Sequence, residues 1–128
     1  MSEPVVYVDT SDVRPGKLEE LEVAVTELAK VLDAKEPQLV AYQVYFDHAG
    51  TRMTVLHVHR DAASLQRHME VGGPLFGKFA SLLELRSIDV YGDVPADVMA
   101  QLATKAEMLG GVVRAHRRRA GFARLPAS

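Results

Sequence analysis

The chain has 128 residues, of which 48% are hydrophobic and 25% are charged, so it can bury one hydrophobic core without help from metals or disulfides. It contains no cysteine, which excludes a disulfide framework, thiolate catalysis and a zinc site built on sulfur. No apolar run is long enough to cross a membrane and no basic-then-apolar leader is present. We therefore expect a cytoplasmic protein with one domain over residues 1–128.

The net charge of −2 hides an uneven distribution of charge. All 17 Asp and Glu residues lie in residues 1–107, whereas the segment 108–128 is basic and contains no acid. Its basic residues are Arg114, His116, Arg117, Arg118, Arg119 and Arg124. Such a cluster can bind phosphates, but the only aromatic residue within it is Phe122 and the rest of the chain is acidic. We expect a solvated tail or an intersubunit salt-bridge partner, and no binding to nucleic acid or to membranes.

The first elements along the chain are a strand and a helix. The β-branched run from Val5 to Asp9 predicts the strand. Pro15 suits the first turn of the helix, and Pro37 lies beyond its end. An apolar stripe at helical spacing marks the buried side of this helix, namely Leu18, Leu21, Val25, Leu28 and Leu32.

Residues 39–47 and 52–60 predict a hairpin with two apolar faces. If Asp47 opposes Arg52 across the turn, Val40, Tyr42, Val44 and Phe46 share one face with Met53, Val55, His57 and His59. The opposite face carries Leu39, Ala41, Gln43, Tyr45, Thr54, Leu56 and Val58. Neither face is charged along its middle, although a sheet with one wet side should alternate apolar and polar residues. The chain's own helices can cover one face, and we expect a second copy to cover the other in a homodimer; a tolerated exposed face is the alternative.

Asp61 predicts the N-cap of a second helix, which we expect to break at Gly72 and Gly73 before another helical piece starts at Pro74. Residues 86–91 then predict a fourth strand. This order is β-α-β-β-α-β, the ferredoxin-like arrangement of an α+β protein with an antiparallel sheet.

A C-terminal extension, residues 93–128, follows this core of residues 5–92. Residues 95–109 predict one more helix, and residues 112–116 predict a short fifth strand. The apolar stripe of the helix contains Val98, Leu102, Ala106 and Leu109. We expect the extension to pack on the core or on the partner.

Residues 39–76 resemble the antibiotic biosynthesis monooxygenase family of dimeric α+β barrel proteins. The resemblance rests on Leu39-Val40-Ala41-Tyr42-Gln43-Val44-Tyr45, on the hairpin, on Val58-His59-Arg60-Asp61-Ala62-Ala63-Ser64-Leu65-Gln66-Arg67-His68, and on Pro74-Leu75-Phe76. Members of the family often carry a Trp at the end of the third strand and a His shortly before a Pro and Phe pair. His59 stands at the Trp position and His68 at the His position, and the resemblance extends over about residues 5–92.

The resemblance implies a homodimer that oxidises a small aromatic or quinol-like compound with molecular oxygen and without a bound cofactor. The family also includes haem-degrading enzymes that rely on an Asn, a Trp and a His. This chain contains neither Asn nor Trp, so that trio and the Trp-dependent oxygenase sites do not carry over.

A cofactor-free oxygenase needs a dry pocket and a base, because a deprotonated quinol can itself pass an electron to oxygen. Histidine suits the role of base near neutral pH, and a neighbouring tyrosine can orient the substrate. The predicted catalytic residues are His57, His59 and His68, and the predicted substrate contacts are Tyr42 and, at the pocket mouth, Arg86 and Tyr91.

Each candidate also has a structural interpretation. Tyr42 can be a core residue of its strand, His57 and His59 can be half-buried residues bonded to backbone, and His68 can belong to a dimer interface. The His-x-His spacing on a strand also suits a metal, but the chain shows no carboxylate at a fixed spacing, and we predict no metal. The competing functions are a non-catalytic binding or structural dimer and a metal-dependent or isomerase-type enzyme.

Overall fold

A computed structural model describes residues 3–126, and it contains five strands and three α-helices. The strands are β1 (Val5–Val13), β2 (Leu39–Phe46), β3 (Arg52–His59), β4 (Leu83–Tyr91) and β5 (Val112–His116). The helices are α1 (Leu18–Lys35), α2 (Ala62–Phe76) and α3 (Ala96–Leu109), and a 3₁₀ helix (Gly77–Ser81) follows α2. The predicted α+β class, with the ferredoxin-like order and an extra C-terminal helix and strand, is confirmed. None of the helices in the described range combines the length and the apolar character that a membrane crossing requires.

The five strands form one sheet in the order β2-β3-β1-β4-β5. All neighbours are antiparallel except β4 and β5, which run parallel because α3 connects them as a crossover. Leu102 and Ala106 of α3 are buried in the core. The C-terminal extension therefore packs on the core of its own chain, one of the two expected outcomes.

The hairpin register agrees with the prediction along most of its length. Phe46 opposes Met53, Val44 opposes Val55 and Tyr42 opposes His57. The predicted pair of Val40 and His59 is wrong, because a register shift between Leu39 and Ala41 places Leu39 opposite His59. An extra residue in one strand is a β-bulge, which apolar alternation alone does not reveal.

Helix α1 begins later than predicted. Pro15 is not in its first turn, since the next residue, Gly16, has a φ of 76° and the helix starts at Leu18. A residue with positive φ cannot take part in a right-handed helix, so Pro15 and Gly16 belong to the turn after β1.

Helix α2 does not break where predicted. It begins at the predicted N-cap, where the backbone N–H of Ser64 donates to Asp61 Oδ1 at 2.9 Å. It then continues through Gly72, Gly73 and Pro74 to Phe76. Glycine lowers helix propensity without forbidding helical geometry. Gly72 also makes room for the buried ring of Phe76, because a Cβ at this position would lie 2.8 Å from Phe76 Cζ.

The helices cover one face of the sheet, and that face carries the histidines. Along β1, Val5, Tyr7 and Asp9 are buried and alternate with partly exposed residues. Along β3, Met53, Val55, His57 and His59 are buried in the same way. The opposite surface, which we call the open face, includes Val6, Val8, Tyr45, Leu56 and Val58.

The arginine-rich end is partly neutralised within the chain. Arg114 Nε donates to Asp89 Oδ1 at 2.8 Å, and Arg118 pairs with Glu3 at 3.1 Å. Arg114 therefore lies on β5 and forms an intrachain ion pair, so this residue is not part of a tail.

Candidate functional site

His57, His59 and His68 converge between the sheet and α2, and each is at most 1% exposed. His57 and His59 occupy alternate positions of β3, and their rings stack with centroids 6.3 Å apart. The ring of His68, on α2, lies 5.0 Å from that of His57 and 5.5 Å from that of His59. Tyr42, on β2, lies 5.0 Å from His57. The structure therefore brings together the four side chains predicted to share a pocket.

A backbone contact sets the tautomer of His57. Its Nδ1 lies 3.1 Å from the carbonyl oxygen of Tyr7, which can only accept a hydrogen bond, so Nδ1 carries the proton. Burial lowers the pKa of His57 well below 6.5, and the nearby His68 and Lys105 lower it further. His57 is therefore neutral near pH 7, with its lone pair on Nε2.

The other two histidines are each held at Nδ1. His59 Nδ1 lies 2.8 Å from Ser64 Oγ, and burial, followed by the proximity of His68, lowers the pKa of His59 to about 3. His68 Nδ1 donates to Glu36 Oε2 at 2.9 Å, and neither side chain of this pair is exposed. The Nε2 atoms of His59 and His68 have no hydrogen-bond partner among residues 3–126.

A cavity of about 40 Å³ lies between the sheet and the helices, beside this cluster. Its polar lining consists of Asp9, Ser11, Tyr42, His57 and Lys105. Its apolar lining includes Val25, Leu28, Phe76, Phe79, Leu83 and Leu85. The volume suits about three water molecules, so an aromatic ring requires side chains to move apart. Tyr42 and His57 line the cavity, whereas His59 and His68 are not part of its lining in the described chain.

The cavity also contains a buried ion pair that the sequence analysis missed. Lys105 Nζ on α3 lies 2.9 Å from Asp9 Oδ2 on β1 and 3.0 Å from Tyr7 Oη. Its ammonium group also lies 4.0 Å from the ring centroid of Phe76.

A signal for Lys105 was present in the sequence. The residue lies between Leu102 and Leu109 on the apolar stripe of α3, where a charged side chain is unexpected. Asp9 likewise alternates with Val5 and Tyr7 on the buried side of β1. A charge on each of two buried stripes indicates a buried pair, although only the structure shows that the two meet.

Arg86 and Tyr91 do not reach the cavity. The pairing of β4 with β1 explains this. Val90 opposes Tyr7 and Leu85 opposes Ser11 on the face beneath the helices, whereas Tyr91 opposes Val6 on the open face. A β-bulge at Arg86 leaves this residue without an opposite residue on β1. Arg86 is exposed and pairs with Asp12. Tyr91 is 43% exposed and stacks on His116 with ring centroids 4.5 Å apart. The structure therefore places Arg86 and Tyr91 outside the lining of the histidine cavity, and their role as substrate contacts stays a prediction.

Within the described chain, no three side chains of His, Asp or Glu are arranged so that they could hold a metal ion. The Nδ1 atoms of His57 and His59 are engaged by Tyr7 and Ser64, and the two rings lie parallel.

Comparisons with known proteins agree on the fold. MupZ from Pseudomonas fluorescens shares 18% identity, with a TM-score of 0.72 over 96% of each chain, so the fold similarity includes the C-terminal extension. PA3566 from Pseudomonas aeruginosa is 25% identical over 74% of this chain and 98% of that chain, with a TM-score of 0.61. SnoaB from Streptomyces nogalater, described as a cofactor-independent oxygenase, is 16% identical over 74% of this chain and 97% of that chain, also with a TM-score of 0.61. No curated protein matches the sequence.

The family assignment comes from the sequence match. A family model described as antibiotic biosynthesis monooxygenase matches residues 4–80, which include β1, the hairpin, α2 and the three clustered histidines. The match spans more than half of the chain and contains the segment that carries the resemblance. The chain belongs to the antibiotic biosynthesis monooxygenase family.

Proposed function

We propose that the protein is a cofactor-independent monooxygenase that oxidises a small aromatic or quinol-like compound with molecular oxygen. The observation that carries this proposal is the largely apolar cavity within one subunit, with His57 and Tyr42 in its wall. Family membership supports it, as does the fold shared with SnoaB, which is described as a cofactor-independent oxygenase.

The chemistry asks the protein to bind the substrate, exclude water and move a proton. Once deprotonated, an electron-rich ring passes electrons to oxygen directly. A ring carbon that carries two hydrogens loses both, gains one oxygen atom as a carbonyl, and the second oxygen atom leaves as water. The substrate thus supplies all the electrons, and no cofactor enters the balance.

Two residues of the cavity are suited to this work. His57 is neutral with a free lone pair, so it is a candidate to accept the substrate's proton. Burial raises the pKa of the Tyr42 hydroxyl well above its ordinary value, which keeps this hydroxyl protonated and able to donate to a substrate oxygen. The rings of His59 and His68 lie beside that of His57, with centroids 6.3 Å and 5.0 Å away. Glu36 orients His68 by accepting a hydrogen bond from its Nδ1.

Oxygen consumption by the purified protein tests this proposal across a panel of quinols, anthrones and flavonols. We expect uptake with at least one class, and its loss in the double variant His57→Ala with His59→Ala. His48→Ala is the matched control, because His48 is exposed in the hairpin turn. Native rates in the double variant would remove His57 as the base.

Two other outcomes would favour the competing functions. Oxygen uptake at background over the whole panel favours a non-catalytic binding dimer. Stoichiometric metal in an elemental analysis of active protein would contradict the cofactor-independent reaction and favour a metal-dependent enzyme.

We further propose that the protein is a homodimer formed through the open face. Leu56 and Val58 are only partly exposed there, and Tyr45 is 55% exposed, so the surface has an apolar middle that the chain's own helices leave uncovered. We propose no nucleic-acid role for the arginine-rich end, since Arg114 and Arg118 pair with acids of the same chain. The cytoplasmic location stays a prediction.

A further inference from the structure

The ion pair of Lys105 and Asp9 lies in the wall of the cavity, and the reaction described above does not use it. Lys105 is 5% exposed and Asp9 is 7% exposed. The lysine comes from α3, beyond the residues that the family model matches. A charge pair at this depth is costly unless both partners are well hydrogen-bonded.

Lys105 meets that condition. Its ammonium group has three N–H bonds. Two of its neighbours are oxygen atoms, Asp9 Oδ2 at 2.9 Å and Tyr7 Oη at 3.0 Å, and the third is the ring of Phe76, with the nitrogen 4.0 Å from the centroid. The face of an aromatic ring attracts a cation. The lysine is therefore fully partnered within the chain.

Asp9, in contrast, lacks a full set of hydrogen-bond partners. Its Oδ2 accepts from Lys105, but its Oδ1 is buried and has no hydrogen-bond partner among residues 3–126. A buried carboxylate oxygen without a donor is unfavourable and rare. Because Asp9 lines the cavity, a group bound there can supply the missing donor.

We infer that the cavity binds its substrate through a hydroxyl group that donates to Asp9 Oδ1, and that Lys105 stabilises the oxygen anion formed when this hydroxyl loses its proton. The inference rests on the proposed function and names its substrate class, a phenol or enol. The compound is neutral before the reaction, because Asp9 and Lys105 already cancel each other's charge and most of the remaining lining is apolar.

The hydroxyl proton has an acceptor of its own in Asp9. When this proton moves to Asp9, the carboxylate becomes neutral, the substrate oxygen becomes an anion and Lys105 stays cationic. The ammonium group that faced the Asp9 carboxylate then faces the substrate anion. His57 keeps its proposed role, which is to accept a proton that leaves the ring carbon.

A matched pair of probes tests the need for a hydroxyl donor. 4-Nitrophenol and 4-nitroanisole share one ring and one nitro group, but only the phenol can donate to Asp9. We expect 4-nitrophenol to bind the wild-type protein about tenfold to a hundredfold more tightly in calorimetry, as a hydrogen bond to a charged acceptor requires. Equal affinity for the two probes, or no binding of 4-nitrophenol, would overturn the inference without any variant.

The visible absorption of nitrophenolate reports the anion separately. We expect bound 4-nitrophenol to show this band at a pH where the free compound is still neutral. Lys105→Met should abolish the bound band, because the anion loses its counter-charge. Lys78→Met is the matched control, since Lys78 is an exposed lysine 5.7 Å from the ring centroid of Phe79. A band that persists in folded Lys105→Met protein would contradict the role of Lys105.

Asp9→Asn should strengthen the binding of nitrophenolate, whereas Lys105→Met should weaken it. The Asp9→Asn substitution leaves the Lys105 cation without its carboxylate, so nitrophenolate should bind more tightly while oxygen consumption with quinols falls. An unchanged affinity of the Asp9→Asn protein for nitrophenolate would contradict the proposed role of the Asp9 and Lys105 pair in binding the anion. Circular dichroism of both variants checks that they are folded.

The two proposals fail in different ways. If 4-nitrophenol binds more tightly than 4-nitroanisole but no quinol is oxidised, the proposed monooxygenase function is wrong and the proposed hydroxyl-binding site stands. If the Lys105→Met protein oxidises quinols at the native rate and the two probes bind equally, the proposed function stands and the proposed hydroxyl-binding site is wrong.

Discussion

The Nδ1 atom of His57 lies 3.1 Å from the backbone carbonyl oxygen of Tyr7, and the two rings pack edge to face with centroids 3.7 Å apart. The contact satisfies the imidazole in its neutral form. A proton added at Nε2 would create a charge at a residue that is 1% exposed, where burial disfavours it. His57 is therefore neutral in the folded protein near pH 7, which has consequences for stability.

The first prediction concerns acid. Burial lowers the pKa of folded His59 from 6.5 to about 3 and that of His57 well below 6.5, so the unfolded chain binds more protons over this range. The free energy of unfolding should be highest above about pH 6.5 and should fall as the pH decreases, by up to about 1.4 kcal/mol per pH unit for each histidine. Urea denaturation at a series of pH values measures this slope.

Variants separate these histidines from other acid-sensitive groups. His59→Gln should reduce the slope, whereas His48→Gln, at an exposed position, should leave it unchanged. The same slope in all three proteins would show that the buried histidine does not titrate on unfolding.

The second prediction compares two adjacent glycines of α2. A Cβ on Gly73 meets nothing within 4 Å, so Gly73→Ala should raise the free energy of unfolding by about 0.5–1 kcal/mol through helix propensity. A Cβ on Gly72 would lie 2.8 Å from Phe76 Cζ, so Gly72→Ala should lower it by about 1–3 kcal/mol. Thermal denaturation measures both.

Because Phe76 also faces Lys105, only Gly72→Ala should weaken binding of 4-nitrophenol. Equal effects of the two alanine substitutions on stability and on binding would contradict this packing.

The third prediction concerns the cap of α2. The carboxylate of Asp61 accepts from the backbone N–H of Ser64 at 2.9 Å, and Ser64 Oγ lies 2.8 Å from His59 Nδ1. Asp61→Ala should lower the free energy of unfolding by about 1 kcal/mol, while Asp61→Ser should retain most of it. Chemical denaturation of the three proteins is the measurement, and an alanine variant as stable as the serine variant would disprove the cap's contribution.

The fourth prediction tests the proposed homodimer. Light scattering of the wild-type protein should give twice the 14.0 kDa mass of one chain. Leu56→Arg places a charge on the open face and should yield monomers, whereas Val23→Arg, at a 59% exposed position of α1, should not. A wild-type mass of 14.0 kDa at micromolar concentration would contradict the proposed homodimer. A Leu56→Arg protein that still has the mass of a dimer would contradict the proposed interface at the open face.

The sequence by itself determined which side chains share a face. Strand alternation is a local property with a period of two, so Tyr42, His57 and His59 had to project together once the hairpin formed. Helical spacing located the buried stripe of α3, and the preference of Asp for N-cap positions located the cap at Asp61. Prediction from the sequence failed at the bulge beside Leu39, because a bulge depends on the pairing with a second strand. It failed also at the glycines of α2, because glycine lowers helix propensity without forbidding helical geometry.

Tertiary structure alone decided which face lies beneath the helices and which charges meet there. Nothing in the hairpin distinguishes its two apolar faces until α2 and the other helices pack on one of them. Lys105 and Asp9 are 96 residues apart, and each is an isolated exception to its own apolar stripe. Their pairing follows from the packing of α3 against β1, since a buried charge is tolerated only where another element supplies the opposite charge.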